Sequence, residues 1–192
     1  MNIIKSVLNS ENTIIIKNSK FICLLYNVNS KDEILKHLEN VKNIYPNATH
    51  YCYAYILDNE RHESDDGEPA GTAGIPMFQV LEKNELNHVL CIVVRYFGKI
   101  KLGAGGLVRA YTKSVVECLK NNIITLKKGF EINITFNYNN LKQIDYLLKN
   151  SIIKNKFFDK EITYNLIISE DTLNILKQLN DINIKIISNT YY

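Results

Sequence analysis

Residues 88–97, His-Val-Leu-Cys-Ile-Val-Val-Arg-Tyr-Phe, form a nearly continuous apolar run. A strand with one wet face alternates polar and apolar residues. An unbroken run predicts a strand covered on both faces. Glycines follow at once, at 98, 103, 105 and 106. Then Leu107, Ala110, Tyr111, Ser114, Val115 and Cys118 recur at i, i+3, i+4, i+7, i+8 and i+11, the apolar stripe of an amphipathic helix. A buried strand, a glycine loop over 98–106 and a helix are therefore expected in that order.

The flanking segments extend a mixed α and β pattern. Residues 13–17 and 20–28 read as strands around an Asn18-Ser19 turn. Ser30 with Glu33 has capping-box form, and Ile34, Leu38, Val41 and Tyr45 follow at helical spacing until Pro46. Residues 49–57 alternate as a Tyr-rich strand, 58–74 read as a polar loop, and 75–83 begin a helix with Pro76 in its first turn. From 129 onward the character changes: no arginine, no proline and no glycine after Gly129. Strands at 130–138, 152–157, 161–168 and 184–187 alternate with helices marked by Leu141, Ile144, Leu147 and Leu148 and by Leu173, Leu176 and Leu179. Ser169 is a candidate cap for the last helix. The order βαββαβ is that of a ferredoxin-like split βαβ domain. The chain is thus expected to be α+β, with domains at 1–128 and 129–192.

Composition narrows the functional classes. The 192 residues are 46% hydrophobic and 22% charged, as in an ordinary globular chain. No apolar run approaches the roughly 18 residues that span a bilayer, and residues 1–5 lack the basic and apolar parts of a signal peptide. Cys23, Cys52, Cys91 and Cys118 are scattered without a C-x-x-C and sit in apolar contexts. They read as buried thiols in a reducing compartment, so a cytoplasmic location without membrane association is expected. The net charge of +3 does not by itself mark a nucleic-acid binder.

The distribution of residues is more telling. All three arginines, Arg61, Arg95 and Arg109, and seven of eight glycines lie between 61 and 109. Residues 58–68 carry six acids against Arg61, a net of −5; residues 95–113 carry Arg95, Lys99, Lys101, Arg109 and Lys113 with no acid, a net of +5. The first segment offers Asp65, Asp66, Gly67, Glu68, Gly71 and Thr72, a loop suited to recognising a partner or backbone. In the second, glycines lead straight into a helix, whose free N–H groups and dipole attract anions. Arg95, Lys99, Lys101 and Arg109 supply charge, Gly103, Gly105 and Gly106 backbone access, and Tyr96 or Phe97 a ring on which a base can stack. Neither a P-loop nor G-x-G-x-x-G is present. The two segments are also expected to pair with each other or simply to face solvent. His50 and Cys52 share one face of a strand; a buried Cys beside a hydrogen-bonded His is the expected reading there, ahead of a catalytic dyad. No catalytic residue, cofactor or metal site is assigned.

Long stretches match a known family in the right order. Ala48-Thr49-His50-Tyr51-Cys52-Tyr53-Ala54-Tyr55, Ser64-Asp65-Asp66-Gly67-Glu68-Pro69-Ala70-Gly71-Thr72-Ala73-Gly74, Val94-Arg95-Tyr96-Phe97-Gly98 and Leu102-Gly103-Ala104-Gly105-Gly106-Leu107-Val108-Arg109-Ala110-Tyr111 resemble the YigZ/IMPACT family over nearly the whole chain. One departure stands out. Lys99 occupies a position where the family usually has glycine, which weakens the case for a positive φ there and adds a charge to the loop. The resemblance implies an N-terminal βαβ domain of the ribosomal-protein/GHMP-kinase type. It also implies a C-terminal ferredoxin-like domain similar to the last domain of elongation factor G.

The same resemblance implies a tie to translation. The eukaryotic relative regulates translation by competing for the activator of an amino-acid-starvation kinase. The leading expectation is a non-enzymatic regulator of translation or stress response that binds RNA, the ribosome or a translation-linked protein through the basic loop. Two alternatives stand beside it. One is an enzyme or binder for a phosphorylated small molecule or nucleotide, with Mg²⁺ held by Asp65, Asp66 or Glu68. The other is a pure protein-interaction module.

Overall fold

The apolar run at 88–97 becomes the middle strand of a five-stranded sheet. The computed structural model describes residues 3–192, which separate into two compact units: Lys5–Thr125, and Leu126–Tyr192 together with Ile3 and Ile4. The larger unit contains β2 (Ser10–Ile16), β3 (Ser19–Asn27), α1 (Lys31–Ile44), β4 (His50–Leu57), β5 (Glu60–Ser64), α2 (Gly74–Lys83), β6 (Val89–Tyr96) and α3 (Ala104–Leu119). β1 (Ile3–Val7) precedes them and crosses the boundary between the units.

The sheet order is β2-β3-β6-β4-β5, and every neighbouring pair is antiparallel. β3 and β4 both run against β6, so they are parallel to each other. α1 joins them as a βαβ crossover with β6 inserted between. Cys91 and Val93 of β6 pack with Cys23, Cys52, Met77 and Tyr111 on the face covered by α2 and α3. Ile92 and Val94 pack with Ile22, Ile34 and Val41 on the face covered by α1. Both faces of β6 are therefore buried, as its composition predicts, and each fully buried Val, Leu or Ile contributes roughly 1.5–3 kcal/mol over leaving it exposed.

Local chemistry sets the boundaries. The Ser30 hydroxyl accepts the Glu33 N–H, while the Glu33 carboxylate reaches back to the Asn29 N–H, one residue short of a standard capping box. Pro76 occupies the third helical position, where a backbone N–H has no intrahelical acceptor. All six stripe positions of α3 are buried, and all four cysteines are buried and free.

Three expectations need correction. The β2–β3 turn is Lys17-Asn18, not Asn18-Ser19; both residues take positive φ, which a two-residue hairpin turn requires. Residues 60–64 of the expected loop form an edge strand, Glu-Arg-His-Glu-Ser, whose charges hide its β character and protect the open edge. Gly105 and Gly106 belong to the first turn of α3, not to the loop.

The smaller unit follows the order β7 (Ile123–Phe136), a 3₁₀ turn (Tyr138–Asn140), α4 (Leu141–Leu147), β8 (Ile152–Phe158), β9 (Ile162–Ile168), α5 (Glu170–Leu176) and β10 (Ile182–Tyr191). Its sheet runs β10-β7-β9-β8 with antiparallel pairs, and β1 also pairs with β7. Ile162, Tyr164, Leu166 and Ile168 alternate inward from β9 and meet Ile144, Leu148, Leu173 and Leu176 from the helical side. Ser169 caps α5 by accepting the Thr172 N–H. β7 starts seven residues before the strand expected at Phe130. Among the described residues no helix is long and apolar enough to cross a membrane.

Candidate functional site

Strand alternation decides where Arg95 points. It follows Cys91 and Val93 onto the face of α2 and α3, in register between His50 of β4 and Phe21 of β3. Its side chain is only 6% exposed, and its guanidinium lies between the rings of Phe21 and Phe97 at 5.4 and 5.5 Å. A charge so buried must be paired. The Arg95 Nη1 donates to Glu68 Oε1 at 2.5 Å, and the Tyr111 hydroxyl donates to the same oxygen at 2.8 Å. The Arg95 Nε is buried without a hydrogen-bond partner. The Glu68 carboxylate is 2% exposed, and its second oxygen lies 3.8 Å from His50 Nε2.

His50 is oriented from its other nitrogen. The Nδ1 lies 2.8 Å from the Asp66 carbonyl, which can only accept, so Nδ1 carries a proton. The Cys52 thiol is directed at the Asp65 carbonyl and the Tyr111 hydroxyl. Burial, partly offset by that hydroxyl, pushes its pKa up to about 12. Cys52 is therefore a structural thiol and not a nucleophile.

The acidic loop spends its carboxylates internally. Asp65 accepts the N–H groups of Gly71, Ala73 and Gly74 at 2.7–2.9 Å and so closes the start of α2. Burial works to raise its pKa, but these three backbone bonds outweigh it and hold the carboxyl below its ordinary value. Asp66 accepts the Tyr51 N–H, and the Thr72 hydroxyl donates to the Pro69 carbonyl. Gly67 and Gly71 turn the loop with positive φ. Among the described residues no group of three His, Cys, Asp or Glu side chains can hold a metal ion. Of the three acids named in the Mg²⁺ alternative, Asp65 and Asp66 are bonded to backbone N–H groups and Glu68 to Arg95 and Tyr111.

The basic loop keeps its charges. Lys99, Lys101, Arg109 and Lys113 form no ion pair within 4.0 Å among the described residues. Lys99 nevertheless takes positive φ, +64°. Gly103 stands before α3 at φ 72°, ψ 164°, a region open essentially to glycine alone. The first helical bond runs from the Leu107 N–H to the Gly103 carbonyl. The N–H groups of Ala104, Gly105 and Gly106 therefore lack intrahelical acceptors. No side chain caps them, and the first turn has no acid.

These parts line an open cleft of ≈ 430 Å³. Glu68 and Pro69 line it together with Lys101, Gly103 and Ala104, as do His50, Arg95 and Phe97. The acidic and basic segments thus share one site. A second groove of ≈ 220 Å³ is lined by Lys17, Leu102, Gly106, Arg109 and Lys113. Leu102 is the wall common to both. Tyr96 faces the other way, packing on the α1 side with its hydroxyl donating to the Pro46 carbonyl. Lys99 is exposed and lines neither cavity. Sequence reasoning assigned no role in the cleft to His50 or to Tyr111. The shared parity of His50 with buried Cys52, and the place of Tyr111 on the α3 stripe, were the signals.

Comparison with known proteins places this geometry among relatives. The family model of the Impact N-terminal domain matches residues 17–119. The chain is 42% identical over 158 residues to the IMPACT family member YvyE of Bacillus subtilis (strain 168), covering 80% of this chain and 71% of that one. It is 36% identical over 139 residues to the IMPACT family member YigZ of Escherichia coli (strain K12), covering 69% and 68%. A crystal structure of a hypothetical protein superposes with TM-score 0.68 at 27% identity, covering 98% of both chains.

Proposed function

The chain belongs to the IMPACT family, and from that premise we propose that it is a translation-linked binding protein whose α3 cleft contacts RNA phosphate, on the ribosome or free. One observation carries the reading. The uncapped, glycine-rich start of α3 opens into a cleft beside the unpaired Lys101, while the neighbouring acids are already bonded, Asp65 within its loop, Asp66 to β4 and Glu68 to Arg95. Backbone N–H groups and a helix dipole suit phosphate oxygens, and an unpaired lysine adds charge, the Glu68 carboxylate of the same cleft being already paired with Arg95. The tie to translation comes from the family resemblance. The βαββαβ order and the β10-β7-β9-β8 sheet support reading the smaller unit as a ferredoxin-like domain similar to the last domain of elongation factor G. The role proposed is binding, in the cytoplasm, without catalysis.

The test is fluorescence anisotropy with a labelled RNA oligomer across a salt series. Affinity is expected to fall steeply with salt, and Lys101→Ala to reduce the slope of log affinity against log salt by about 0.7–0.9, the value of one phosphate contact. An absence of binding, or an unchanged slope, overturns the RNA reading. Capture of a protein partner that survives nuclease treatment would replace it with an interaction module.

A further inference from the structure

Resting on the RNA reading above, we propose that the ligand is a single strand, held at two neighbouring phosphates: one at the start of α3, the next in the groove of Lys17, Arg109 and Lys113. The groove and the cleft adjoin across Leu102, so one continuous backbone can pass from one to the other. No carboxylate lines the groove, and none of its three cations is ion-paired among the described residues.

Arg109 supplies a further reason. Its Nη1 lies 3.6 Å from where a Cβ on Gly105 would stand, so the guanidinium sits beside the first turn of α3. Cations are disfavoured at that positive end of a helix. Lys101 and Arg109 gathered there repel the dipole until an anion arrives. Independently of the helix, the cleft wall holds a side chain that is 94% buried and incompletely bonded: Arg95, whose Nε has no partner.

The choice of a single strand comes from Phe97. The residue is 43% exposed and lines the cleft, with Arg95 against its ring. A free base stacks on such a ring, whereas the bases of a duplex are stacked on one another and out of reach. The cleft, at ≈ 430 Å³, is in the size range of small-ligand sites, while the groove, at ≈ 220 Å³, falls below it. That contrast fits a nucleotide with its base in the first and a phosphate alone in the second.

The experiment compares a labelled 12-nucleotide single-stranded RNA, its blunt duplex and uridine monophosphate on the full chain. The single strand is expected to bind at least tenfold more tightly than either competitor at equal salt. Arg109→Ala should lower the salt slope by about 0.7, the value for one phosphate contact on a single strand. Phe97→Leu should weaken single-strand binding roughly tenfold and leave the slope unchanged. Both positions are exposed, and circular dichroism spectra of the two variants should match that of the parent chain. Equal or tighter duplex binding, or an unchanged slope in Arg109→Ala, overturns the single-strand proposal and leaves the RNA reading standing. Binding of neither RNA form overturns both. Poly-glutamate is run beside them as a fourth ligand; tighter binding to it than to RNA also overturns both and assigns the surface to an acidic polypeptide.

Discussion

Glu68→Ala is expected to destabilise the larger unit by about 3–5 kcal/mol, the cost of stranding a buried charge by removing its partner. Glu68 is the sole ion-pair partner of Arg95 among the described residues, and Arg95 is too deeply buried to recover water in its place. The same change removes the acceptor of the Tyr111 hydroxyl on α3. Urea denaturation should show a lower midpoint with an unchanged slope, the signature of lost stability without a changed denatured state. A control separates charge from packing. Glu68→Leu combined with Arg95→Met removes both charges and should recover a large part of the loss, since replacing a buried pair by apolar groups is often near neutral. A double variant no more stable than Glu68→Ala would show that the pair matters through shape instead.

Gly98→Ala should cost more than about 3 kcal/mol, beyond most single substitutions. A Cβ at Gly98 would lie 2.0 Å from the carbonyl carbon of Asn18 and 2.3 Å from the Ser19 nitrogen. Both are backbone atoms, where the β2–β3 turn enters β3, so no side-chain rotation relieves the clash. The turn is also bonded to this point, because the Gly98 N–H donates to the Ser19 hydroxyl at 3.0 Å. Gly103 behaves differently. Its Cβ would meet nothing within 4 Å, and only its backbone angles resist substitution, at about 1–3 kcal/mol. Thermal unfolding of the two alanine variants side by side checks the ranking; equal melting temperatures would contradict it.

Pattern made much of the fold legible. β6 and α3 follow from hydrophobic periodicity alone, and the caps at Ser30 and Ser169 follow from side-chain chemistry acting within one turn. β5 escaped because pairing with β4, not its own composition, makes Glu-Arg-His-Glu-Ser a strand. The site was half legible. Glycine and arginine content marked both loops, but a count of charges cannot tell a spent carboxylate from a free one. Asp65 and Asp66 are spent on backbone N–H groups and Glu68 on Arg95, whereas Lys101 and Arg109 remain unpaired. The inward turn of Arg95 was readable from its parity with Cys91 and Val93. Its partner, 27 residues earlier in the chain, was not.

The central claim is that the first turn of α3 receives a phosphate. It is tested most directly by ¹H–¹⁵N NMR of the backbone amides during titration with single-stranded RNA. The N–H resonances of Ala104, Gly105 and Gly106 should move together and saturably, ahead of amides on the α1 face such as those of Lys36 and Lys42. Saturable RNA binding that leaves these three amides unmoved would contradict the account.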